Sequence, residues 1–268
     1  METNNTRTTD ETVFWDWITY PISWWALFFV LPFLYLMVEP LRRNPRIQPN
    51  HITIVSFIVG VCAALFILVD RGPCYIIAGI LFACAYLLDC ADGMVARMNR
   101  KASSLGALLD NVLDRWKIVA MTCALLWVTL SLHQDAVTAM LIMVNFCLYS
   151  MAIGTVYEVR DALGSAAEPT IVDVPGRDKA GFAGRWMVGQ GGLMSRWMAL
   201  CYRFGLKPSL SEVEADMAVF CVGMILTGLC GPQWLRPCLL ISIAIYVFSV
   251  HAGYVFVLYK FFTRTNSG

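Results

Sequence analysis

Long apolar runs separated by short polar stretches fill most of this chain, and that rhythm predicts helices long enough to cross a bilayer. Six runs stand out: Thr53–Val69, Pro73–Leu88 continuing toward Ala96, Leu108–Leu130, Ala136–Val156, Met217–Leu229 and Pro237–Tyr259. The fifth is short for a span unless it begins near Glu214. Backbone groups cannot stay unpaired in lipid, so such runs must be helical or close into a barrel. Continuous apolarity is not the alternating pattern of a barrel strand. The predicted fold is an all-α polytopic bundle of six transmembrane helices.

The N-terminal region adds one more element. Trp15–Val38 is apolar, contains Pro21 and Pro32, and carries Trp15, Trp17, Trp24 and Trp25. It reads either as a helix lying in the membrane interface or as a seventh span. Pro32 favours the interfacial reading, because a proline breaks a spanning helix midway. The expected organisation is an N-terminal tail and helix over 1–48, a catalytic bundle over 49–260 including a loop at 161–212, and a short tail over 261–268. The loop is rich in glycine, but it has no Walker pattern to cradle phosphate. Within it, Leu193–Phe204 has helical apolar spacing with Arg196 and Arg203 alongside, which predicts a short helix on the membrane surface.

Composition agrees with the membrane reading. Charged residues make up 15% of the 268, against about 25% in soluble domains. A net charge of +1 argues against nucleic acid as a partner. The polar start METNNTRTTDET lacks the pattern of a signal peptide. The ten cysteines stand singly with no CxxC pair, so they read as small buried hydrophobes. Cys230 and Cys238 flank one short loop and are the one pair placed for a disulfide. Basic residues flank alternate ends of the spans: Arg42, Arg43 and Arg46, then Arg97, Arg100 and Lys101, then the cations of the long loop. The opposite connections hold little beyond Arg71 and Arg236. The positive-inside rule then places the connection after the second span, and the long loop, on the cytoplasmic side.

Candidate chemistry concentrates in LDCADGMVARMNRKASSLGALLDNVLDRWK, residues 88–117. Asp89 and Asp92 are three residues apart near the end of the second run; Asp110 and Asp114 are four apart near the start of the third. Each spacing puts its pair on one helix face. A short turn makes the two helices antiparallel, so four carboxylates meet at one depth. Four like charges there repel one another and need cations. Oxygen-only ligands favour Mg²⁺ or Mn²⁺, and two such ions suit displacement at phosphorus. Interhelical ion pairs with Arg97, Arg100 and Arg115 are the plainer alternative. They leave the small residues between the carboxylates, Gly93 and Ala96, without a role.

These residues resemble the class I CDP-alcohol phosphotransferase family, whose pattern is D-x2-D-G-x2-A-R-x8-G-x3-D-x3-D. Asp89, Asp92, Gly93, Ala96, Arg97, Gly106, Asp110 and Asp114 fit it without a gap. The approach to the first span, Pro49-Asn50-His51-Ile52-Thr53, is also similar to the family's. The resemblance implies a metal-dependent enzyme that moves a phosphoalcohol group from a CDP-linked donor to a hydroxyl acceptor and releases CMP. It implies that Asp89, Asp92, Asp110 and Asp114 hold two Mg²⁺ or Mn²⁺ ions. Asp114 would also serve as general base. Gly93, Ala96, Arg97, Asn50 and Thr53 would line the pocket for the CDP-linked donor. It further implies a homodimer.

The preferred donor is CDP-diacylglycerol, with its tails in the bilayer and its headgroup at the cytoplasmic face. Soluble CDP-choline or CDP-ethanolamine with a lipid acceptor is the reversed arrangement. Arg115 and Arg160 resemble acceptor-side positions of the inositol-phosphate branch, and Lys117 lies near the same level. The cations expected in the last three spans to complete such a pocket are missing, and Glu212, Glu214 and Asp216 before the fifth read as a solvated helix start rather than as a site for a cationic acceptor. A transporter or channel with an acidic ion site is the rival of another class. It predicts ionisable residues spread through the bundle rather than gathered at one end. Of the histidines, His51 sits near the first span, His133 in an outer connection, and His251 mid-span as a hydrogen-bonded helix residue.

Overall fold

The computed structural model describes Ile18 and residues 22–44, 46–163, 200–201, 206–207 and 210–265, with the side chains of 155–163 and 252–265 outside that description. The described residues form helices and no sheet; the one bridge is an isolated parallel pair, Ile22 with Leu206. A π-helical turn, Ala26–Val30, leads into α1, Leu31–Arg43. Six longer helices follow: α2, Pro49–Leu68; α3, Gly72–Met98; α4, Ser104–Leu132; α5, Ala136–Leu163; α6, Glu212–Cys230; and α7, Leu235–Thr265. Each of the six contains a window long and apolar enough to span a bilayer. The predicted six-span fold is therefore present.

Helix limits differ from the apolar runs in informative ways. α6 starts at Glu212, not Met217. Ser211 caps it: the Ser211 backbone N–H donates to Glu214 Oε2 at 2.7 Å, in a reciprocal capping box. The acidic residues of that first turn suit the positive end of the helix dipole. Together with a π-helical stretch at Met217–Gly223, they lengthen the short fifth run into a span. The expected break at Pro32 is absent. Pro32 is the second residue of α1, and the preceding π turn accommodates the ring. Cys230 and Cys238 are both free thiols, so the disulfide their spacing allowed is not formed. Trp15, Trp17, Pro21 and nearly all of the 161–212 loop lie outside the described residues; of the predicted surface helix only Leu200 and Cys201 are described.

The described residues sort into two compact units. One is drawn from 1–58, 84–115 and 173–208, the other from 59–83, 116–172 and 209–268. In the first, Val30, Leu31, Leu34 and Val38 make the buried stripe of an amphipathic segment and pack with Ala91 and Met94 of α3. Phe28, Phe29, Phe33 and Leu36 face outward. At 100° per residue, Ala91 and Met94 lie on the side of α3 opposite Asp89 and Asp92. The N-terminal helix thus backs the carboxylate-bearing helix. The backbone pair at Ile22 and Lys207 (2.9 Å) and the bond from Trp24 Nε1 to Lys207 O (3.0 Å) hold its leading end.

In the second unit, α5 and α7 pack side by side. Ser242 Oγ donates to Asn145 Oδ1 at 2.7 Å, the Tyr149 and Tyr246 rings meet edge to face, and Tyr246 Oη donates to Asp216 Oδ1 at 2.6 Å. Gly79 lets α3 approach α6 closely: a Cβ there would sit 2.7 Å from the Cys221 carbonyl oxygen. Phe82 stacks obliquely on Phe220 one turn further along.

Candidate active site on the third and fourth helices

The turn between α3 and α4 brings the carboxylates together. α3 ends in a Schellman motif: Lys101 N–H bonds Ala96 O at 2.8 Å and Arg100 N–H bonds Arg97 O at 3.0 Å. Arg100 takes the left-handed position that motif needs, with φ of 55°. Two residues later Ser103 caps α4, accepting a bond from Gly106 N–H at 3.1 Å. The eight-residue spacer of the pattern is thus one helix stop, a tight reversal and one helix start.

Across that reversal, ligand oxygens of Asp89, Asp92 and Asp110 all lie within 4.8 Å of one another. Asp92 is buried at 4% exposure; Asp89 and Asp110 are half-buried. An ion bound at about 2.1 Å holds oxygens up to about 4.2 Å apart, so rotations of a few tenths of an ångström close this set around a small hard cation. Three carboxylate donors with no sulfur or imidazole among them fit Mg²⁺ or Mn²⁺. Asp114 is one turn beyond Asp110 on α4 and half-buried, and it stands outside that group of three. Its charge and that of Asp110 both act on Asp92.

The neighbours of this cluster take specific places. Thr53 Oγ1 of α2 donates to Asp92 Oδ2, and Ser56 Oγ donates to Ala85 O at 2.8 Å, so two hydroxyls join α2 to α3. Thr53, expected in the donor pocket, is thus a partner of a carboxylate. Asn50 stands at the opening turn of α2, its Oδ1 3.3 Å from where a Gly106 Cβ would be; with Ser103 Oγ at 3.0 Å, that crowding explains the glycine. Gly93 leaves room for the Arg97 guanidinium, whose Nη1 is 3.2 Å from the corresponding point. Ala96, one turn after Asp92, adds only a methyl group to the same face.

The acceptor-side residues do not form one described group. Arg115 is exposed in the first unit. Lys117 belongs to the second, buried at 6% exposure, its stem against Gly60, where a Cβ would lie 2.8 Å from it. Arg160 falls within α5, but its side chain is outside the described residues. His251 Nδ1 lies 2.7 Å from Val247 O, the ordinary helix contact expected of it. The Ser211-x-x-Glu214 box and the Ser103 cap are two further features with a signature in the sequence.

Residues 46–170 match the profile of the CDP-alcohol phosphatidyltransferase family. Residues 46–170 are a CDP-alcohol phosphatidyltransferase domain. The whole carboxylate pattern lies inside that domain. A bifunctional IPC transferase and DIPP synthase of Thermococcus kodakarensis is 38% identical over 71 residues, 26% of this chain and 16% of that protein. The chain therefore spans a small part of that relative's length. A phosphatidylinositol phosphate synthase of Corynebacterium glutamicum is 29% identical over 160 residues, 58% of this chain and 72% of that protein. The crystal structure of Mycobacterium tuberculosis phosphatidylinositol phosphate synthase with CDP-DAG bound superposes with a TM-score of 0.55, covering 83% of this chain and 94% of that one. At 17% identity this likeness shows that the CDP-alcohol phosphatidyltransferase domain has that enzyme's fold.

Proposed function

We propose that this chain transfers a phosphatidyl group from CDP-diacylglycerol to a hydroxyl of an inositol-type acceptor and releases CMP. The observation that carries the reading is the convergence of Asp89, Asp92 and Asp110 on two helices joined by the family's own spacer. The names of the Corynebacterium and Mycobacterium relatives support the inositol-type acceptor and the CDP-linked lipid donor.

In this reading Asp89, Asp92 and Asp110 hold divalent Mg²⁺ or Mn²⁺, two ions with the help of Asp114. When bound, these ions neutralise the donor diphosphate and the charge that builds on its oxygens. Thr53 fixes the orientation of Asp92, and Asn50, Gly93, Ala96 and Arg97 line the donor's nucleotide and diphosphate. Asp114 takes the proton of the acceptor hydroxyl as that oxygen bonds to phosphorus. The bond from phosphorus to the CMP oxygen breaks, and CMP departs with the electron pair. Standing outside the group of three favours Asp114 for this base role. Arg115, on the helix that carries Asp110 and Asp114, is the acceptor-side cation of this reading.

In this reading the chemistry lies at the cytoplasmic face of the membrane, which the basic connections support. Residues 49–260 make up the catalytic bundle, α1 lies along the membrane interface with its phenylalanines in lipid, and the protein acts as a homodimer. The test is CMP release from CDP-diacylglycerol by purified protein with Mg²⁺ or Mn²⁺, across inositol phosphate, inositol, glycerol phosphate and amino alcohols. Release with inositol phosphate is expected. Release with none of them removes the assignment, and release only from CDP-choline or CDP-ethanolamine transfers it to the reversed arrangement.

A further inference from the structure

A second cavity, of about 640 Å³, lies wholly within the unit that does not carry the carboxylates. Its walls come from the α2–α3, α4–α5 and α6–α7 connections. Its lining includes the buried residues Tyr75, Thr129, Thr138 and Thr227 and the exposed residues Gln134 and Gln233. The volume is in the range of small-molecule sites, and would take roughly twenty waters. Three of the four residues with positive φ among those described border these connections: Asp70 at 53°, Gln134 at 51° and Gly231 at 102°. Such backbone persists where the surroundings over-determine it, and it clusters at ligand sites.

The ionisable groups around the cavity bond to one another. Asp70 Oδ1 accepts from Tyr75 Oη at 2.6 Å and lies 2.9 Å from His133 Nε2. Arg236 Nη2 donates to both oxygens of Asp135 at 2.8 Å, and Arg236 Nε donates to Thr138 Oγ1 at 2.8 Å. Burial pushes the Asp70 carboxyl up, but its bonds from Tyr75 and His133 bring it below its usual value. Thr138 and Arg236 hold Asp135 well below its own. Arg236, the one arginine or lysine among the described residues of the cavity wall, is thus committed to Asp135, which leaves no free cation there for an anionic ligand. What is left is a hydroxyl: Thr227 is 6% exposed, and its Oγ1 is buried with no hydrogen-bond partner. A polar guest that reaches that hydroxyl supplies the partner it lacks. Next or close in sequence to the lining residues, Trp127, Leu130, Leu229 and Trp234 are exposed apolar residues at helix ends, as at a lipid boundary.

We propose that this cavity binds the neutral, polyhydroxylated headgroup of a membrane lipid, with the Thr227 hydroxyl and the Gln233 amide among its contacts. The test uses the full chain in phosphatidylcholine nanodiscs. Binding of monoglucosyl diacylglycerol, phosphatidylglycerol and free glucose is measured by native mass spectrometry and by thermal shift. Thr227→Val keeps the shape and removes the hydroxyl. Gln233→Ala, at an exposed lining residue, gives a second variant should the first not fold. The expected result is glucolipid binding at least tenfold tighter than phosphatidylglycerol, weakened roughly fivefold or more in each variant. CMP release from CDP-diacylglycerol is expected to be unchanged by either substitution. Equal binding of the anionic lipid, or glucolipid binding that neither variant weakens, overturns the proposal. Free glucose binding as tightly as the glucolipid overturns the assignment to a lipid.

Discussion

Thr53→Val is the most direct probe of the carboxylate site, because it changes one atom beside Asp92 and keeps a β-branched side chain in α2. Thr53 Oγ1 donates to Asp92 Oδ2, and Asp92 is 4% exposed, so little water stands ready to replace that donor. A hydrogen bond to a charged group is worth about 1.5–3 kcal/mol, or roughly 10- to 150-fold in an equilibrium constant. Loss of a hydrogen bond to a metal ligand independently costs about 10–100-fold in metal affinity or activity. Both routes lead to a rise in half-saturating Mn²⁺ of at least about tenfold. Titration of detergent-purified protein with Mn²⁺, followed by electron paramagnetic resonance, reads that shift without reference to turnover. Thr53→Ser restores the donor and is expected to stay within about threefold of wild type. A folded Thr53→Val protein that binds Mn²⁺ as tightly as wild type would falsify the view that Thr53 orients a metal ligand.

The other expectations are separable from this one. Asp114→Asn is expected to lower kcat about 10²-fold or more, while Mn²⁺ affinity moves less than in Asp110→Asn; equal metal loss in both variants would argue against the base role. Gly79→Ala puts a Cβ 2.7 Å from the Cys221 carbonyl oxygen and is expected to destabilise by about 1–3 kcal/mol, read as a lower melting temperature in detergent with no change in substrate preference. Asp135 is held below its ordinary value by Thr138 and Arg236, so its contribution is complete above the unfolded-state value of about 3.9 and is lost as pH falls through the folded one. Asp135→Asn should therefore melt below wild type at pH 7, and the gap should narrow below about pH 4; a gap independent of pH refutes that linkage.

The parts of this site that were legible in sequence are those whose geometry is local. Separations of three and four residues are helix periods, so Asp89 with Asp92 and Asp110 with Asp114 could be assigned to helix faces from spacing alone. The reversal between them was legible in outcome but not in means. No glycine marks the left-handed position, and Arg100 fills it because the Lys101 and Arg100 N–H groups find α3 carbonyls there. The apolar run of α6 begins only at Met217 because hydropathy discounts acidic residues, while the acidic trio before it reads as the helix start that it is. The Ser211 cap and the helix dipole make Glu212 and Glu214 good first-turn residues.

The contacts that sequence could not supply are those made between helices. Thr53 and Asp92 are 39 positions apart, and Asp135 and Arg236 are 101 apart; nothing in either neighbourhood names its partner. The bond from the Thr53 hydroxyl to Asp92 is likewise a contact that only the packing of α2 on α3 reveals. In the family's pattern the carboxylates are fixed by helical period, but the donor that orients Asp92 comes from a different helix, placed by the packing of α2 on α3 through Ser56 and Ala85. A substitution that shifts α2 by even a fraction of an ångström should therefore weaken metal binding with all the aspartates intact. Ser56→Val, which removes the 2.8 Å bond to Ala85 O while that carbonyl keeps its place in the α3 ladder, makes that argument testable in the same Mn²⁺ titration. A weakening comparable to that of Thr53→Val is expected, and an unchanged affinity would show that Asp92 is oriented from α3 alone.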